Sequence, residues 1–370
     1  MSILTERQWS IERVNAWYDA RPWIRGCNFM PSDCANRIDQ WQKYECEEHF
    51  ATADRELAAA KEIGFNSVRV IMDYYVWKDE HDSYMENLER FLSLCKKYEI
   101  TALIVFANDC VVPKELYVRP KMGKQEVYWG YHGNRINSPQ CVYSNIGWSI
   151  LDDSELKEEF YQMVREIMTK YANDERIIAW NMFNEPGNCG RETISVPHVR
   201  ELFTIGREID PIQPLTSDIM RAPSRLCEAE KESLKYCDII SYHNYMGYEA
   251  QILEIAELKK MGRPLFCTEY LHRVGCDDIK LDFPLFYLER VACYNWGFVA
   301  GKNQTYEPWG VYWQWEEEGK EHDLDFTKWQ HDLLRPNLRP YDPKEIRLIK
   351  KFSQRADADW AEKQEKKKKN

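Results

Sequence analysis

Eight short apolar runs alternate with eight amphipathic segments along almost the whole chain, and this alternation limits the folds that the chain can adopt. The runs span residues 23–29, 66–72, 101–107, 177–183, 214–219, 238–243, 264–270 and 296–301. Apolar residues recur at three- and four-residue steps, typical of helices, over residues 54–64, 84–100, 154–171, 198–209, 224–235, 249–261, 278–294 and 343–355. The first of these segments ends on Gly64, which we expect in the left-handed position after a helix.

Eight strands that alternate with eight helices predict an α/β fold, a single (β/α)8 TIM barrel. An open doubly wound sheet would carry a glycine-rich phosphate-binding turn after an early strand, and the sequence "GCNFMPS" is not such a turn. No internal repeat or linker composition divides the 370 residues. We therefore expect one catalytic barrel with an N-terminal helical lead-in over residues 1–356, and a charged, frayed and solvated tail over residues 357–370.

Composition and charge narrow the possible partners. The net charge is −11 and the basic cluster "KKKKN" stands at the end of the chain, so nucleic acid is not expected as a partner. The 12 cysteines include no C-x-x-C pair, so we expect no metal and no cofactor. The beginning of the sequence does not resemble a signal peptide, and no apolar run is long enough to cross a bilayer. We expect a cytoplasmic protein that binds no membrane.

Polar residues at the ends of the predicted strands are the candidate site, because barrels of this kind place their chemistry at the C-terminal ends of the strands. These residues are Asn28, Arg69, Asp109, Asn184, Glu185, His243, Tyr245, Glu269 and Lys302. Glu185 follows "IIAWNMFN" directly, and the proline after it disfavours helical geometry, so its carboxylate should lie at a strand tip. Glu269, in "PLFCTEY", ends the seventh strand. Strands four and seven face each other across an eight-stranded barrel.

Two facing carboxyl groups predict glycoside hydrolysis. One group must be protonated to give a proton to the leaving oxygen, and the other must be ionised to attack the anomeric carbon. Arg69 is the natural cation to keep Glu269 ionised. A glutamate beside a proline can also simply turn the chain. The occurrence of both glutamates at the ends of expected strands favours the catalytic interpretation.

Four motifs carry a resemblance to a known family. "WNMFNEP" and "PLFCTEY" resemble the fourth- and seventh-strand signatures of clan A glycoside hydrolases, nearest to family five, the cellulase-like enzymes. "VRV" around Arg69 and "YHNY" around His243 and Tyr245 are similar to that clan's second and sixth strands. The resemblance covers roughly residues 8–352 and extends to bacterial proteins often labelled β-1,4-xylanase-like. It implies a retaining β-glycosidase.

The resemblance also implies roles for the residues that match these motifs. Glu185 corresponds to the acid/base and Glu269 to the nucleophile. Asn184 corresponds to a residue that hydrogen-bonds the sugar 2-hydroxyl. Arg69 and Tyr245 correspond to residues that keep the nucleophile ionised and oriented.

The remaining candidates have open alternatives. By resemblance His243 orients the acid/base, although a buried structural imidazole is the competing interpretation. Trp296 and Trp309 compete for the aromatic floor that the clan places after the eighth strand. Lys302 either contacts substrate or pairs with an acid. Asp109 stands near the third strand end, where many clan members have a histidine, and we expect it among the substrate contacts.

The connection after the third strand, residues 108–153, is long and aromatic. It contains Tyr117, Tyr128, Trp129, Tyr131, Tyr143 and Trp148. Loops of this length are usually functional or disordered, and the aromatic content favours an ordered cap over the barrel mouth. Such a cap would close one end of the cleft and favour exo action. If these side chains pack only against neighbouring helices, the chain is an endo-β-1,4-glycanase of the xylanase, cellulase or mannanase type.

Three other classes of barrel protein compete with a glycosidase. A metal-dependent hydrolase typically carries H-x-H after the first strand, where this chain has "GCNF". An enolase-type barrel needs acids on consecutive strands, and strands five and six supply only Asp218. A non-catalytic carbohydrate-binding barrel usually lacks one of the two carboxylates, and this chain has both. We therefore expect an enzyme whose partner is a small carbohydrate, and the sequence leaves its oligomeric state open.

Overall fold

Nine parallel strands form one sheet in a computed structural model that describes residues 2–127, 132 and 145–369. The strands are β1 (Arg25–Asn28), β2 (Ser67–Ile71), β3 (Thr101–Asn108), β4 (Ile177–Asn184), β5 (Leu215–Thr216), β6 (Asp218–Ile219), β7 (Ile240–His243), β8 (Leu265–Glu269) and β9 (Ala292–Asn295). Their order is β5-β4-β3-β2-β1-β9-β8-β7-β6. Only Ser217 separates β5 from β6, so these two segments are one interrupted strand that closes the ring. The predicted (β/α)8 barrel is confirmed.

The pairing register of the strands places the polar residues at the strand ends at the same height along the barrel axis. Asn28 pairs with Arg69, Asn108 pairs with Asn184, and His243 pairs with Glu269. Because all the strands are parallel, these residues lie on the same rim of the barrel. The common level of these side chains is thus a consequence of strand register.

Helices surround the sheet. The described helices are α1 (Ile3–Glu6), α2 (Ile11–Asp19), α3 (Arg37–Trp41), α4 (Cys46–Ile63), α5 (Tyr74–Asp79), α6 (His81–Lys97), α7 (Ser154–Tyr171), α8 (Val196–Ile209), α9 (Glu228–Leu234), α10 (Tyr248–Leu258), α11 (Ile279–Glu289), α12 (Gly310–Glu317) and α13 (Pro343–Lys369). Short 3-10 turns occur at Lys114–Leu116, Ile150–Asp152, Pro223–Arg225 and Lys259–Met261. Within the described residues, no helix has both the length and the apolar character needed to cross a membrane.

Helices α1 and α2 precede the first strand and pack on the barrel end opposite the polar rim. Trp9, Val14 and Tyr18 are buried against the barrel interior in one apolar cluster that includes Phe266. The backbone N–H of Trp9 donates to the carboxylate of Asp238 at 2.8 Å. Burial of these aromatic side chains stabilises the lead-in on the barrel.

The prediction of the eighth strand is wrong. We expected residues 296–301, but the strand is β9, Ala292–Asn295, and the helix predicted over residues 278–294 ends at Glu289. Arg290 ends that helix in the left-handed conformation, with φ 53°, and a non-glycine residue gives no sequence signal for such an end. Within the range predicted as strand, Val299 forms only an isolated bridge to Leu334.

The charged tail is helical rather than frayed. Helix α13 continues through residue 356 without a break and ends at Lys369. Arg25 donates to the carboxylate of Asp357 at 2.8 and 2.9 Å, and Lys363 donates to the carbonyl oxygen of Asp19 at 3.1 Å. These bonds attach the first turns beyond residue 356 to the barrel and the lead-in.

Gly64 supports a test of how α13 is packed. Gly64 follows α4 with φ 103°, as predicted, and an added Cβ would lie 2.4 Å from the Cβ of Ser353 on α13. Gly123 has a similar φ of 99° but no atom within 4 Å of an added Cβ. We expect Gly123→Ala to cost about 1–2 kcal/mol of unfolding free energy from backbone strain alone. Gly64→Ala should cost about 2–5 kcal/mol, because overpacking is added to the strain. Urea denaturation measures both, and equal losses would contradict the contact.

Candidate active site

A cavity of about 1160 Å³ opens at the C-terminal ends of the strands. The predicted site residues that line it are Asn28, Arg69, Asn184, Glu185, His243, Tyr245, Glu269, Trp296 and Trp309. Lys302 and Asp109 are not among its lining residues. The structure therefore brings together nine of the eleven residues that the sequence suggested.

Glu185 is held in a strained and buried position. It follows the last residue of β4 with φ 49°, a left-handed conformation that non-glycine residues adopt rarely and often at functional sites. Its Oε1 accepts a hydrogen bond from His243 Nδ1 at 2.6 Å. Its Oε2 accepts from Asn188 Nδ2 at 2.6 Å and from Cys110 Sγ at 3.0 Å. Three donors therefore hold the carboxylate at the edge of the cavity.

Glu269 ends β8 on the opposite side of the barrel mouth. Its Oε1 accepts from Arg69 Nη1 at 2.9 Å, and its Oε2 accepts from Tyr245 OH at 2.8 Å. His243 Nδ1 lies 3.6 Å from the same Oε2. Arg69 and Tyr245 therefore each contact one oxygen of this carboxylate.

The two carboxylates are close enough for direct attack on a sugar. One oxygen of Glu185, one oxygen of Glu269 and a ring nitrogen of His243 all lie within 4.8 Å of one another. Retaining glycosidases separate their two carboxyl groups by about 5–5.5 Å, whereas inverting enzymes need about 6.5–9.5 Å to admit a water. The separation in this structure fits the retaining arrangement.

Arg69 connects four side chains beneath the cavity. Its guanidinium donates to Asn28 Oδ1 at 2.6 Å, to Asp218 Oδ2 at 2.7 Å, to Glu269 and to Asn184 Oδ1. Arg69 and Asp218 are fully buried. A buried guanidinium requires compensating charge, and the two carboxylates supply it.

Asn28 and Asn184 each accept a hydrogen bond from Arg69 with the side-chain oxygen and donate to another strand of the barrel with the amide nitrogen. Asn28 Nδ2 donates to the carbonyl oxygen of Thr268 at 2.8 Å. Asn184 Nδ2 donates to Asn108 Oδ1 at 2.8 Å. Asn184 Nδ2 also donates to Cys110 Sγ at 3.7 Å, a long bond to a weak acceptor that a sugar hydroxyl could replace.

The charges of this cluster fix the ionisation of His243. Burial alone lowers the pKa of His243, but the charges of Glu269 and Asp218 and the bond to Glu185 outweigh burial and raise it to about 10. The imidazole is therefore a cation at neutral pH. Its second nitrogen, Nε2, faces Asp218 at 3.6 Å.

The surroundings shift the pKa values of the two glutamates in opposite directions. Burial raises the pKa of Glu185, but the bond and charge of His243 reverse this and hold the pKa below its ordinary value. Burial raises the pKa of Glu269, and His243 and Arg69 offset the rise only in part. Three buried carboxyl groups, those of Glu185, Glu269 and Asp218, thus face two cations. These pKa directions are the reverse of those expected for an acid/base and a nucleophile, and the proton next to Glu185 is carried by His243.

A resident metal ion does not fit the residues of this site. Glu185, His243 and Glu269 could offer ligand atoms. The guanidinium of Arg69 and the protonated His243 occupy the same surroundings, however, and repel a cation. A second group, Asp33, Cys34 and His49, lies outside the cavity, and burial raises the pKa of the Cys34 thiol well above its ordinary value.

Trp296 and Trp309 both line the cavity and share one partner. Their indole N–H groups donate to His132 Nδ1 at 3.3 and 3.2 Å. His132 Nε2 donates to the carbonyl oxygen of Glu307 at 3.1 Å, and burial lowers the pKa of His132 to about 4, so the ring is neutral. His272 stacks on Trp309 with ring centroids 5.3 Å apart. The two indoles and these imidazoles form one aromatic wall.

Asp109 and Lys302 lie away from the cavity surface. Asp109 is fully buried and accepts bonds from the Gly187 N–H at 2.6 Å, Ser195 Oγ at 2.5 Å and Arg191 Nε at 2.8 Å. It therefore holds the turn that follows Glu185, where we had expected a substrate contact. The side chain of Lys302 is exposed to solvent.

Three residues that contact Arg69 or Glu185 were not predicted as site residues. Asp218 ends the fifth predicted strand, so the strand-end argument could have identified it as the second partner of Arg69. Cys110 and Asn188 contact Glu185 from loops, and their sequence spacing gave no signal.

The described part of the third connection contains one aromatic pair. The rings of Tyr117 and Trp148 lie 4.3 Å apart, and the Lys114 ammonium lies 5.3 Å from the Trp148 ring. The other aromatic residues predicted to cap the site, Tyr128, Trp129, Tyr131 and Tyr143, lie outside the described residues.

A closed parallel barrel with two buried carboxylates at this separation defines a retaining glycoside hydrolase. The family model "Cellulase (glycosyl hydrolase family 5)" matches residues 29–220, which is more than half of the chain. The chain belongs to glycosyl hydrolase family 5. No curated protein matches it.

Several solved structures share the fold at low sequence identity. A GH5_18 protein from Streptomyces cattleya, in complex with GlcNAc, has a TM-score of 0.58 and 11% identity, covering 91% of this chain and 80% of that one. The endo-β-1,4-mannanase from Thermotoga petrophila has a TM-score of 0.54 and 15% identity, covering 92% and 78%. The exo-β-1,4-mannosidase from Opitutaceae bacterium strain TAV5 has a TM-score of 0.54 and 14% identity, covering 90% and 60%. These likenesses support the fold.

The His243 cation leads to a prediction about pH. His243 lowers the pKa of both Glu185 and Glu269, so its loss should let both values rise. We expect His243→Asn, which keeps an amide near Nδ1, to narrow the profile of kcat/KM against pH: the acid limb moves to higher pH because the pKa of Glu269 rises, and the alkaline limb moves to lower pH because the proton held by His243 with a pKa of about 10 is lost. The profile is measured with a nitrophenyl β-glycoside. A lower rate with unmoved limbs would mean that His243 acts only as packing.

Proposed function

We propose that this chain is an exo-acting retaining β-glycosidase that hydrolyses β-linked oligosaccharides or glycosides through a covalent glycosyl-enzyme. Glu185 is the acid/base and Glu269 is the nucleophile. The observation that supports this proposal is the approach of their carboxylate oxygens to within 4.8 Å at the ends of β4 and β8.

In the first step the carboxylate of Glu269 attacks the anomeric carbon while the bond from that carbon to the leaving oxygen breaks. Glu185 gives its proton to the leaving oxygen, which departs as an alcohol. In the second step Glu185 takes a proton from a water, and the water oxygen replaces Glu269 at the anomeric carbon. Arg69 and Tyr245 orient the nucleophile in both steps.

His243 supplies the proton that Glu185 needs. In the free site the proton lies on His243 Nδ1, 2.6 Å from Glu185 Oε1. The charge of Glu269 helps to raise the pKa of His243, and that charge disappears when Glu269 forms its bond to the sugar. The pKa of His243 then falls as the leaving oxygen becomes more basic, so the proton moves through Glu185 to that oxygen.

Asn184 contacts the sugar 2-hydroxyl through its second amide hydrogen, which in the free site makes only a long bond to Cys110 Sγ at 3.7 Å. Its Oδ1 is fixed by Arg69 and its first amide hydrogen by Asn108. A donor held in this way needs no reorganisation when charge develops on the sugar ring, which is the condition for selective stabilisation of the transition state.

The third connection supports exo action. The sheet places β2 and β1 between β3 and β9. Asn36, after β1, donates to Gln125 Oε1 at 3.1 Å, and Gln42 Nε2 donates to the carbonyl oxygen of Gly123 at 2.9 Å. His132 reaches the indoles beyond β9. Described residues of the connection thus contact both the β1 side and the β9 side of the mouth, and a cleft narrowed there favours chain ends.

The two glutamates should be separable by substitution. Glu269→Ala should abolish turnover, and azide should restore it with a product of inverted configuration. Glu185→Ala should lower kcat/KM by about 10²–10⁴-fold for substrates with poor leaving groups and spare dinitrophenyl glycosides, which need no proton. A panel of aryl β-glucosides, β-mannosides, β-xylosides and β-galactosides provides the assay.

Glu175→Ala is the matched control, because Glu175 is exposed just before β4 and should tolerate the change. Identical behaviour of the two active-site variants would refute the assignment of roles. Near-normal activity of either variant on natural substrates would refute it as well.

Product analysis tests the mode of action. A β-1,4-linked hexasaccharide should lose monosaccharides from one end, because the blocked side admits only a terminal residue. His132→Ala, which removes the bond to both indoles, should increase the share of mid-length products. Early release of mid-length fragments by the unaltered enzyme would show an open cleft.

A further inference from the structure

Two polar residues of the cavity wall have no role in the mechanism above. Arg37 and Gln40 both line the cavity and both belong to α3, which follows β1. Residues three positions apart lie on the same face of a helix, so the two side chains share one part of the wall.

The guanidinium of Arg37 has no hydrogen bond and no ion pair with any residue in the part of the chain that the structure describes. The buried arginines behave differently, since all five have carboxylate partners. The pairs are Arg25 with Asp357, Arg69 with Asp218 and Glu269, Arg191 with Asp109 and Asp152, Arg207 with Asp238, and Arg273 with Glu345. Arg37 is instead half-buried, and it lines the cavity without a carboxylate partner, where a ligand can reach it.

Asp73 is the acid whose charge acts most strongly on Arg37, and it does not form an ion pair with it. Burial lowers the pKa of Arg37, and the charge of Asp73 offsets this in part. Oδ1 of Asp73 accepts the backbone N–H of Val76 at 3.0 Å, which caps α5. Asp73 therefore has a structural role of its own and leaves the guanidinium available.

Gln40 is a second, independent observation. Its side chain is 7% exposed, and its amide Nε2 is buried without a hydrogen-bond partner among the described residues. An unsatisfied buried donor is costly in a native protein and is usually explained by a ligand or by water. A cation and an unused amide donor thus face the same part of the cavity.

The position of this pair indicates which part of the substrate it meets. Glu185 protonates the leaving group, so the leaving group lies on the side of β4. The wall formed by α3 follows β1, where Asn36 donates to Gln125 of the third connection. The proposed function puts the ring whose bond is cleaved, the glycone, on this side, away from the leaving group.

We propose that Arg37 and Gln40 bind a singly charged anionic group of the glycone, so that the substrates are β-glycosides of uronic acids or of sulfated sugars. This inference rests on the proposed function for its assignment of the glycone side. A carboxylate or sulfate oxygen pair matches the planar fork of a guanidinium, and one cation balances one negative charge. A neutral hydroxyl could accept the same hydrogen bonds but would leave the charge of Arg37 uncompensated.

Equilibrium binding tests the inference without requiring turnover. Titration calorimetry on the full chain compares glucuronate, galacturonate and mannuronate, and the 6-sulfates of glucose, galactose and mannose, with the three neutral sugars. We expect at least one anion to bind about 10- to 100-fold more tightly than its neutral counterpart. Arg37→Gln should remove this advantage, and Arg37→Lys should keep part of it. The sugar acids and the sulfates distinguish the two sources of the anionic group.

Arg347→Gln is the matched control, because Arg347 is exposed on α13 and does not line the cavity. The inference is overturned if no anion binds more tightly than its neutral counterpart, or if the preference survives in Arg37→Gln. If the chain hydrolyses neutral glycosides but binds no anion preferentially, this inference fails and the proposed function remains supported. Arg37-dependent binding of an anion by a chain that hydrolyses no glycoside would refute the proposed function instead.

Discussion

The guanidinium of Arg69 is the interaction on which the site depends. It lies at the centre of the barrel floor and is bonded to Asn28 on β1, Asn184 on β4, Asp218 on β6 and Glu269 on β8. Each of these bonds fixes the end of a different strand relative to the others. Because the guanidinium is planar and its donors point in fixed directions, it sets the distances between those strand ends. The spacing of the two glutamates follows in part from this one residue.

Much of this site could be predicted from the sequence, because its polar side chains lie at the C-terminal ends of recognisable strands. Glu185 and Glu269 were recognisable from an apolar run that ends on a carboxylate, and the register of parallel strands brought them together. Asp109 shows the limit of that reasoning. It also follows a strand, but its side chain turns away from the cavity and holds the Gly187 N–H. The sequence places a residue at a strand end, and only the packing of the next loop decides which way its side chain points.

The errors in the fold have a similar physical origin. The end of α11 at Arg290 relies on a left-handed non-glycine residue, and the strand Ala292–Asn295 is fully buried without β-branched residues. Both are decided by tertiary burial and not by local preference. The tail beyond residue 356 is charged and looked solvated, yet Arg25 and Asp357 join it to the barrel across the whole length of the chain. Such long-range pairs leave no local pattern.

The charges of Arg37 and Glu269 act on each other within the cavity. The charge of Glu269 stabilises the cation of Arg37, and by reciprocity Arg37 favours the ionised form of Glu269. An anionic group bound to Arg37 would neutralise that guanidinium. The same group would place negative charge near the sugar ring when its anomeric carbon becomes positive in the transition state. An anionic glycone would therefore be expected to raise kcat as well as to lower KM, since the bound charge acts on the reacting atoms and not only on affinity.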